Sequence, residues 1–341
     1  MMNRQFTYIL GAFFAFFMQL SDVNAQDNKS WMPEIGGTLR VKYEYQTDEG
    51  NSRFQVRDAR LNAKGWLTSF IDYKMEINLS DKGKIKTHDM FARLHFGKDK
   101  EWKLTLGQFR VPISIDAARS PHLRWFANRS FVGKQVGNVF DVGGKLSWVS
   151  KKIPLTIEAG MYNGKGTAPS DAEWQKKYLY MGRVGYRFPH FELRGGVMTY
   201  HPYDIQTTMY DAGVTFTEGR FSAEIEYLCK DYSDDRIKSQ QALNVMARYS
   251  LPLKSDYINT IHFLGRFDYM TDGIDGTFDE GGNPLISDVE RKRFTAGVTL
   301  GYYKKVRAEL RLNFEKYFYN DGVAIGVSDH DKAVAELMIN F

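Results

Sequence analysis

Apolar and polar residues alternate along most of this chain with a period of two. Across residues 306–314, Val306, Ala308, Leu310, Leu312 and Phe314 are separated by Arg307, Glu309, Arg311 and Asn313. Successive side chains of a β-strand point to opposite faces, so a segment like this has one oily face and one ionic face. Leu39, Val41, Tyr43 and Tyr45 alternate in the same way with Arg40, Lys42 and Glu44, and Ile71 to Leu79 with Asp72, Lys74, Glu76 and Asn78. Residues 243–249, 261–269 and 333–341 repeat it. The runs exceed the five or six residues usual in soluble sheets, reaching about ten. Short polar links (188–190 and 218–220) contrast with long polar connections (163–175 and 272–290). Short turns at one end and long loops at the other suit a barrel in an outer membrane.

The expected fold is all-β: a transmembrane antiparallel β-barrel of about sixteen strands. The strands should start near Glu34, Arg53, Phe70, Lys86, Trp102, Asn138, Ile153, Tyr178, Phe191, Thr207, Arg220, Ala242, Tyr257, Arg291, Lys305 and Asp331. Closure follows from solvent physics. Hydrocarbon offers no hydrogen-bond partner, so an unpaired sheet edge would cost several kcal/mol per group. Trp66, Trp102, Trp148, Tyr302, Tyr303, Tyr317 and Phe318 sit near strand ends, where an aromatic girdle would meet the interface. A barrel this wide encloses water instead of a packed core.

One segment breaks the alternation. From Arg110 to about Gly137 the period is lost, and loops of this length are usually functional or disordered. Ile113, Ile115, Leu123, Trp125, Phe126, Phe131 and Val132 argue against disorder. The segment is expected to fold into the lumen and narrow it. Arg110, Arg119, Arg124, Arg129 and Lys134 face only Asp116 in opposition, with His122 titratable near neutrality. Rings of arginine and lysine favour anions at a constriction. These five, with Arg60, Lys74 and Arg93 on the wall, are the candidate constriction and solute-binding residues. The competing expectation is that the loop arginines pair with Glu76, Asp89, Asp141 and Glu158, which would lock the loop without making a site. Elsewhere the inward face mixes both signs.

Composition narrows the picture. The 341 residues are 43% hydrophobic and 26% charged, and beyond the N-terminus no apolar run is long enough for a spanning helix. Arg4, the apolar residues 6–20 and Val23-Asn24-Ala25 suggest an export signal over 1–25, leaving 26–341 as the barrel. Loss of 1–25 removes Arg4 and Asp22, so the net charge stays +5, too mild to argue for nucleic acid. The single cysteine, Cys229, excludes an intrachain disulfide and should face lipid.

No G-x-S-x-G, complete P-loop, H-E-x-x-H or paired-cysteine motif occurs, so neither enzyme nor cofactor is expected. Residues 160–166 lack P-loop spacing and should form a turn. Asp272, Asp275, Asp279, Glu280 and Asp288 do not fit the EF-hand pattern, which favours a solvated loop.

Two motifs carry a family resemblance. Arg57-Asp58-Ala59-Arg60-Leu61 resembles the R-x-A-R-L signature of the phosphate-selective porin O and P family, and Gly107-Gln108-Phe109-Arg110-Val111-Pro112 resembles its G-Q-F-x-x-P. The terminal Phe341, resembling the assembly signal of outer-membrane proteins, agrees. The resemblance implies a homotrimer of sixteen-stranded barrels in the outer membrane of a Gram-negative bacterium, in contact with its lipids and guiding anions such as phosphate. Where that family carries Glu-Arg after the loop, this chain has Asn128-Arg129. The expected function is passive diffusion of small anionic or polar solutes through a water-filled channel with an anion bias. The alternative is a barrel serving as scaffold for a surface binding, adhesion or enzymatic role, and conductance in a planar bilayer separates the two.

Overall fold

The computed structural model describes residues 32–81, 83–136, 140–167, 174, 176–202, 205–323 and 325–341. The expected leader, 1–25, lies outside the described residues. The barrel strands of the first half are β1 (Glu34–Gln46), β2 (Ser52–Thr68), β3 (Ile71–Asp81), β4 (Lys84–Phe96), β5 (Trp102–Arg110), β6 (Phe140–Val149), β7 (Leu155–Tyr162) and β8 (Leu179–Arg187). Those of the second half are β9 (Phe191–Tyr200), β10 (Thr207–Glu218), β11 (Phe221–Tyr232), β12 (Gln240–Pro252), β13 (Thr260–Met270), β16 (Arg291–Tyr303), β17 (Arg307–Tyr319) and β18 (Lys332–Asn340). Each pairs antiparallel with its neighbours, and β1 pairs with β18 to close the cylinder. No sheet edge is left to lipid, as the backbone requires.

Alternation becomes two surfaces. On β17, Glu309, Arg311, Asn313 and Glu315 are buried inward while Leu310, Leu312 and Phe314 are exposed outward. The same outward exposure recurs at Leu39, Leu146, Val184, Ile225, Val245, Phe263 and Leu337. A continuous apolar belt of this kind is a lipid-facing surface. Cys229 shares the outward face of β11 with Ile225 and Tyr227.

The closing seam has its own fit. Gly37 and Phe341 exchange backbone hydrogen bonds of 2.9 and 3.1 Å. A β-carbon on Gly37 would stand 2.5 Å from the Phe341 ring. Glycine there makes room for the terminal aromatic.

Three expectations need correction. The connection 272–290 is not plain loop: it holds the hairpin β14 (Gly273–Phe278) and β15 (Pro284–Asp288), outside the barrel. Its Asp279 accepts from Asn283 and its Asp288 pairs with Arg291. Tyr303 and Tyr317 do not join the outward girdle. They have the inward parity of β16 and β17 and bond to Glu309 and Glu315. Finally, β2 is not regular. Arg40 pairs with Asp58 but Val41 pairs with Val56, leaving Arg57 as an extra residue. A bulge re-aims side chains, and here consecutive residues Arg57 and Asp58 both serve the lumen side.

Candidate functional site

The segment after β5 enters the lumen and packs on its wall. It contains a short helix α1 (Ile115–Ala118), a 3-10 turn at Pro121–Leu123 and a second helix α2 (Phe131–Val136). Val111, Ile113, Ala117, Phe131, Val132 and Val136 bury against Met181, Met198, Met209, Leu228 and Met270 of the wall. Phe126 packs separately on Met246 and Leu264. These inward methionines form an apolar patch in an otherwise ionic lumen, and burying it holds the loop inside.

Wall arginines then grip the loop through its carbonyls. Arg40 donates to Ala127 O at 2.7 Å, Arg266 to Asn128 O at 2.8 Å and Arg293 to Arg129 O at 2.7 Å. Arg311 reaches Pro121 O at 3.3 Å. All four are also ion-paired: Arg40 with Asp58 and Glu336, Arg311 with Glu309 and Glu336, and Arg293 with Asp268 and Glu315, while Arg266 lies 2.8 Å from Asp268. A planar guanidinium can satisfy two carboxylates and a carbonyl at once.

The candidate residues then separate by partner. Arg60 pairs with Asp58 and Glu76, and Lys74 with Glu76 and Asp89. Arg93 lies 3.8 Å from Asp72 and stacks on Phe91. Arg110 donates to the carbonyls of Ala117 and Arg119 and stacks on Phe140. Arg119 pairs with Glu224, and Lys134 with Asp329 at 2.9 Å. None of these loop groups takes Glu76, Asp89, Asp141 or Glu158, the partners considered from sequence. Glu76 and Asp89 are held by other wall residues, Glu158 pairs with Lys145 and Arg183, and Asp141 accepts from Gly164 N at 2.7 Å.

Arg124 stands apart. It is buried, and its Nε and Nη2 have no hydrogen-bond partner. Burial, with Arg129 and Arg40 beside it, presses its affinity for the proton well below the ordinary arginine value. A guanidinium does not give up that proton near neutrality, so the unbalanced field favours a counter-anion. Nearby, burial would raise the Asp116 carboxyl, but Arg119, Arg124 and Arg129 hold it down at about 2.

Two cavities of about 440 and 500 Å³ meet at Arg57, Arg124 and Arg129. The first adds Lys42, Arg53, Lys134 and Lys332 with Glu44 as its only carboxylate, and the second adds Arg60, Lys84 and Lys86 against Asp58 and Asp81. A third, of about 420 Å³, lies under the loop between Arg110, Arg119, Arg183 and Arg194. Lys74 and Arg93 line none of the three. Arg60, Arg110, Arg119, Arg124, Arg129 and Lys134 thus line one or another of these three cavities.

Residues 35–186 match the family model for phosphate-selective porins O and P. Over this stretch the chain resembles that porin family. No curated protein sequence matches it. Among solved structures, OmpT of Vibrio cholerae in its trimer form superposes with a TM-score of 0.60 at 12% identity, covering 91% of this chain and 98% of that one. The anion-selective porin of Comamonas acidovorans gives 0.59 at 12%, covering 90% and 98%. OprB of Pseudomonas putida gives 0.60 at 13%, covering 91% and 94%. At such identities these likenesses speak for the barrel alone. Family and fold together make the chain an outer-membrane porin, a channel for small solutes.

Sequence reasoning overlooked several cations of this porin's lumen. Arg293 alternates with Phe294 and was available from parity, as was Arg194 from its place between Leu193 and Gly195. Arg57 was hidden by the bulge, since strict alternation from Arg60 puts it on the lipid side. Lys332 lies on the inward face of β18, where barrel closure sets it beside the loop.

Proposed function

We propose that the porin passes small hydrophilic solutes by diffusion, with a preference for anions set at Arg57, Arg124 and Arg129. The observation that carries this is the Arg124 guanidinium, buried between two cationic cavities with two nitrogens unpartnered. In water two unit charges about 4 Å apart interact by about 1 kcal/mol, and in a protein environment by about 4 kcal/mol. Arg57 is paired with Asp81 at 2.7 Å, so the repulsion of cations between the two cavities comes chiefly from Arg124. Phosphate belongs to the class of ions such a filter accepts. Asn128, standing where the family carries glutamate, accepts from Lys42 and donates to Glu315, so it adds no negative charge.

The porin family match and the barrel fold support a channel role. The apolar belt would contact outer-membrane lipid. The trimer form of the Vibrio cholerae neighbour supports a homotrimer here, and residues 1–25 have the pattern of a cleaved export leader. Planar bilayers test the proposal. Discrete conductance steps and an anion-directed reversal potential under a salt gradient are expected. A protein without conductance steps would reject the channel, and an unchanged reversal potential after Arg124→Gln with Arg129→Gln would reject the filter.

A further inference from the structure

The loop enters the lumen through a strained residue held by carboxylates that have no cation. Ser114 has φ 65 and ψ 141, a conformation a residue with a β-carbon rarely adopts. Its backbone faces Asp211 on β10 and its side chain faces Glu226 on β11, while its hydroxyl accepts from Ala117 N at 3.1 Å. Glu226 also accepts the backbone N–H groups of Ile115 and Asp116, the latter at 3.2 Å. The seat beneath is cut to fit: a β-carbon on Gly213 would stand 2.6 Å from Ile115 Cδ1, and one on Gly196 would stand 2.9 Å from Ile113 Cδ1.

Register explains why these two carboxylates differ from others in the lumen. Across the ladder Glu226 faces Gly213 and Asn244, and Asp211 faces Gly196 and Leu228. Neither pair supplies a charge. The charged groups around them are committed elsewhere: Arg119 to Glu224, Arg183 to Glu158 and Arg194 to Glu192, while Asp116 adds a like charge. Asp211 Oδ1 is buried with no partner. With no cation in the seat, a proton from solvent is the counter-charge that remains.

We infer that Glu226 and Asp211 are proton-operated positioning residues for the selectivity loop. Ionised, they face residues 114–116, with Glu226 accepting the N–H groups of Ile115 and Asp116, and hold Ser114 in its strained form. Protonated, they lose acceptor strength, Ser114 relaxes, and the start of the loop leaves its glycine seat and obstructs the aperture. The latch is a property of the loop. Only its electrical readout rests on the channel function proposed above.

The test is the open fraction of single channels in planar bilayers from about pH 8 to about pH 4. The native protein should close reversibly as the pH falls. Glu226→Gln, which keeps shape and removes charge, should close at neutral pH by about tenfold in open fraction and lose its pH dependence. Ser114→Gly removes the strain that drives release and should move the midpoint down by about one pH unit. A role limited to structural support would leave the Ser114→Gly midpoint at the native value, which overturns the proposal, as does a flat native profile. If no conductance appears at any pH, the channel reading fails but the latch stays measurable. A nitroxide at Ala118→Cys, in a Cys229→Ala background, should then gain mobility in acid, and constant mobility rejects the latch.

Discussion

The constriction loop is held by two walls of opposite chemistry. On the side of β13, β16, β17, β18 and β1, arginines already neutralised by Asp58, Asp268, Glu309, Glu315 and Glu336 donate to loop carbonyls. On the side of β10 and β11, carboxylates without cations accept loop N–H groups. The first grip is a saturated ionic lattice and should be indifferent to pH across the neutral range. The second is neutralised by nothing fixed in the protein. One loop therefore has a permanent anchor at residues 121–129 and a conditional one at 114–116, with Arg119 in the transition between them and Arg124 inside the permanent anchor.

The largest effect should come from breaking the lattice. Arg293→Ala leaves Asp268 and Glu315 buried without their main partner, and stripping one member from a buried ion pair costs about 3–5 kcal/mol. Glu226→Gln leaves no charge behind and should cost about 1 kcal/mol. Heat-induced unfolding of the detergent-folded barrel compares the two. Equal losses would mean the walls are not different in kind. The glycine seat comes next. Gly213→Ala drives a β-carbon into Ile115 and should destabilise by about 1–3 kcal/mol. Gly265→Ala, where a β-carbon would meet nothing within 4 Å, should be close to neutral. If both behave alike, the notch at Gly213 is not a seat.

Much of this architecture was legible because alternation and turns are local properties. The strand starts expected from sequence fall within three residues of those observed, from Glu34 for β1 to Lys332 for β18. The constriction was legible as an interruption, and its apolar side chains pack on the wall except Leu123, which stays exposed. The partners were not legible. Parity tells which face a residue occupies but not its height in the barrel, so Glu76 and Glu158 were as plausible for the loop as Glu224 and Glu226. The bulge at Arg57 leaves no mark in the pattern, since one extra residue reverses parity silently. The inward methionines Met181, Met198 and Met209 were readable as an apolar patch on the wrong face, and they were the missed sign of where the loop lies.

Smaller but more diagnostic is a pair of arginine replacements. Arg124 is surrounded by like charge, so Arg124→Gln should raise the unfolding midpoint slightly, by about 1 kcal/mol, while lowering anion preference. Arg119→Gln leaves Glu224 buried and alone and should lower the midpoint. Stability and selectivity are expected to move in opposite directions at Arg124 and together at Arg119. Parallel changes at both positions would show that Arg124 has a partner in solution and is not the filter's open charge.

The smallest effect concerns His122, which lies at the start of the permanent anchor, where Arg311 reaches its carbonyl. Burial, with Arg307 nearby, pushes its imidazole down to about 4. A depressed folded value means that the unfolded chain binds the proton first, so His122 opposes the folded state as pH falls from about 6.5 towards 4. It also means that His122 is neutral through most of the range in which the latch operates. The native protein and His122→Gln should therefore show the same reversal potential from about pH 8 to pH 5, and diverge near pH 4, where His122 adds a cation to the lumen. The Asp116 staple to Ser130, with its carboxyl held near 2, stays intact throughout and keeps α1 tied to α2. Closure in acid that His122→Gln leaves unaltered assigns the proton to the wall carboxylates. Closure that vanishes in that variant would place the titrating group in the loop itself, and the two grips would no longer differ by which of them senses acid.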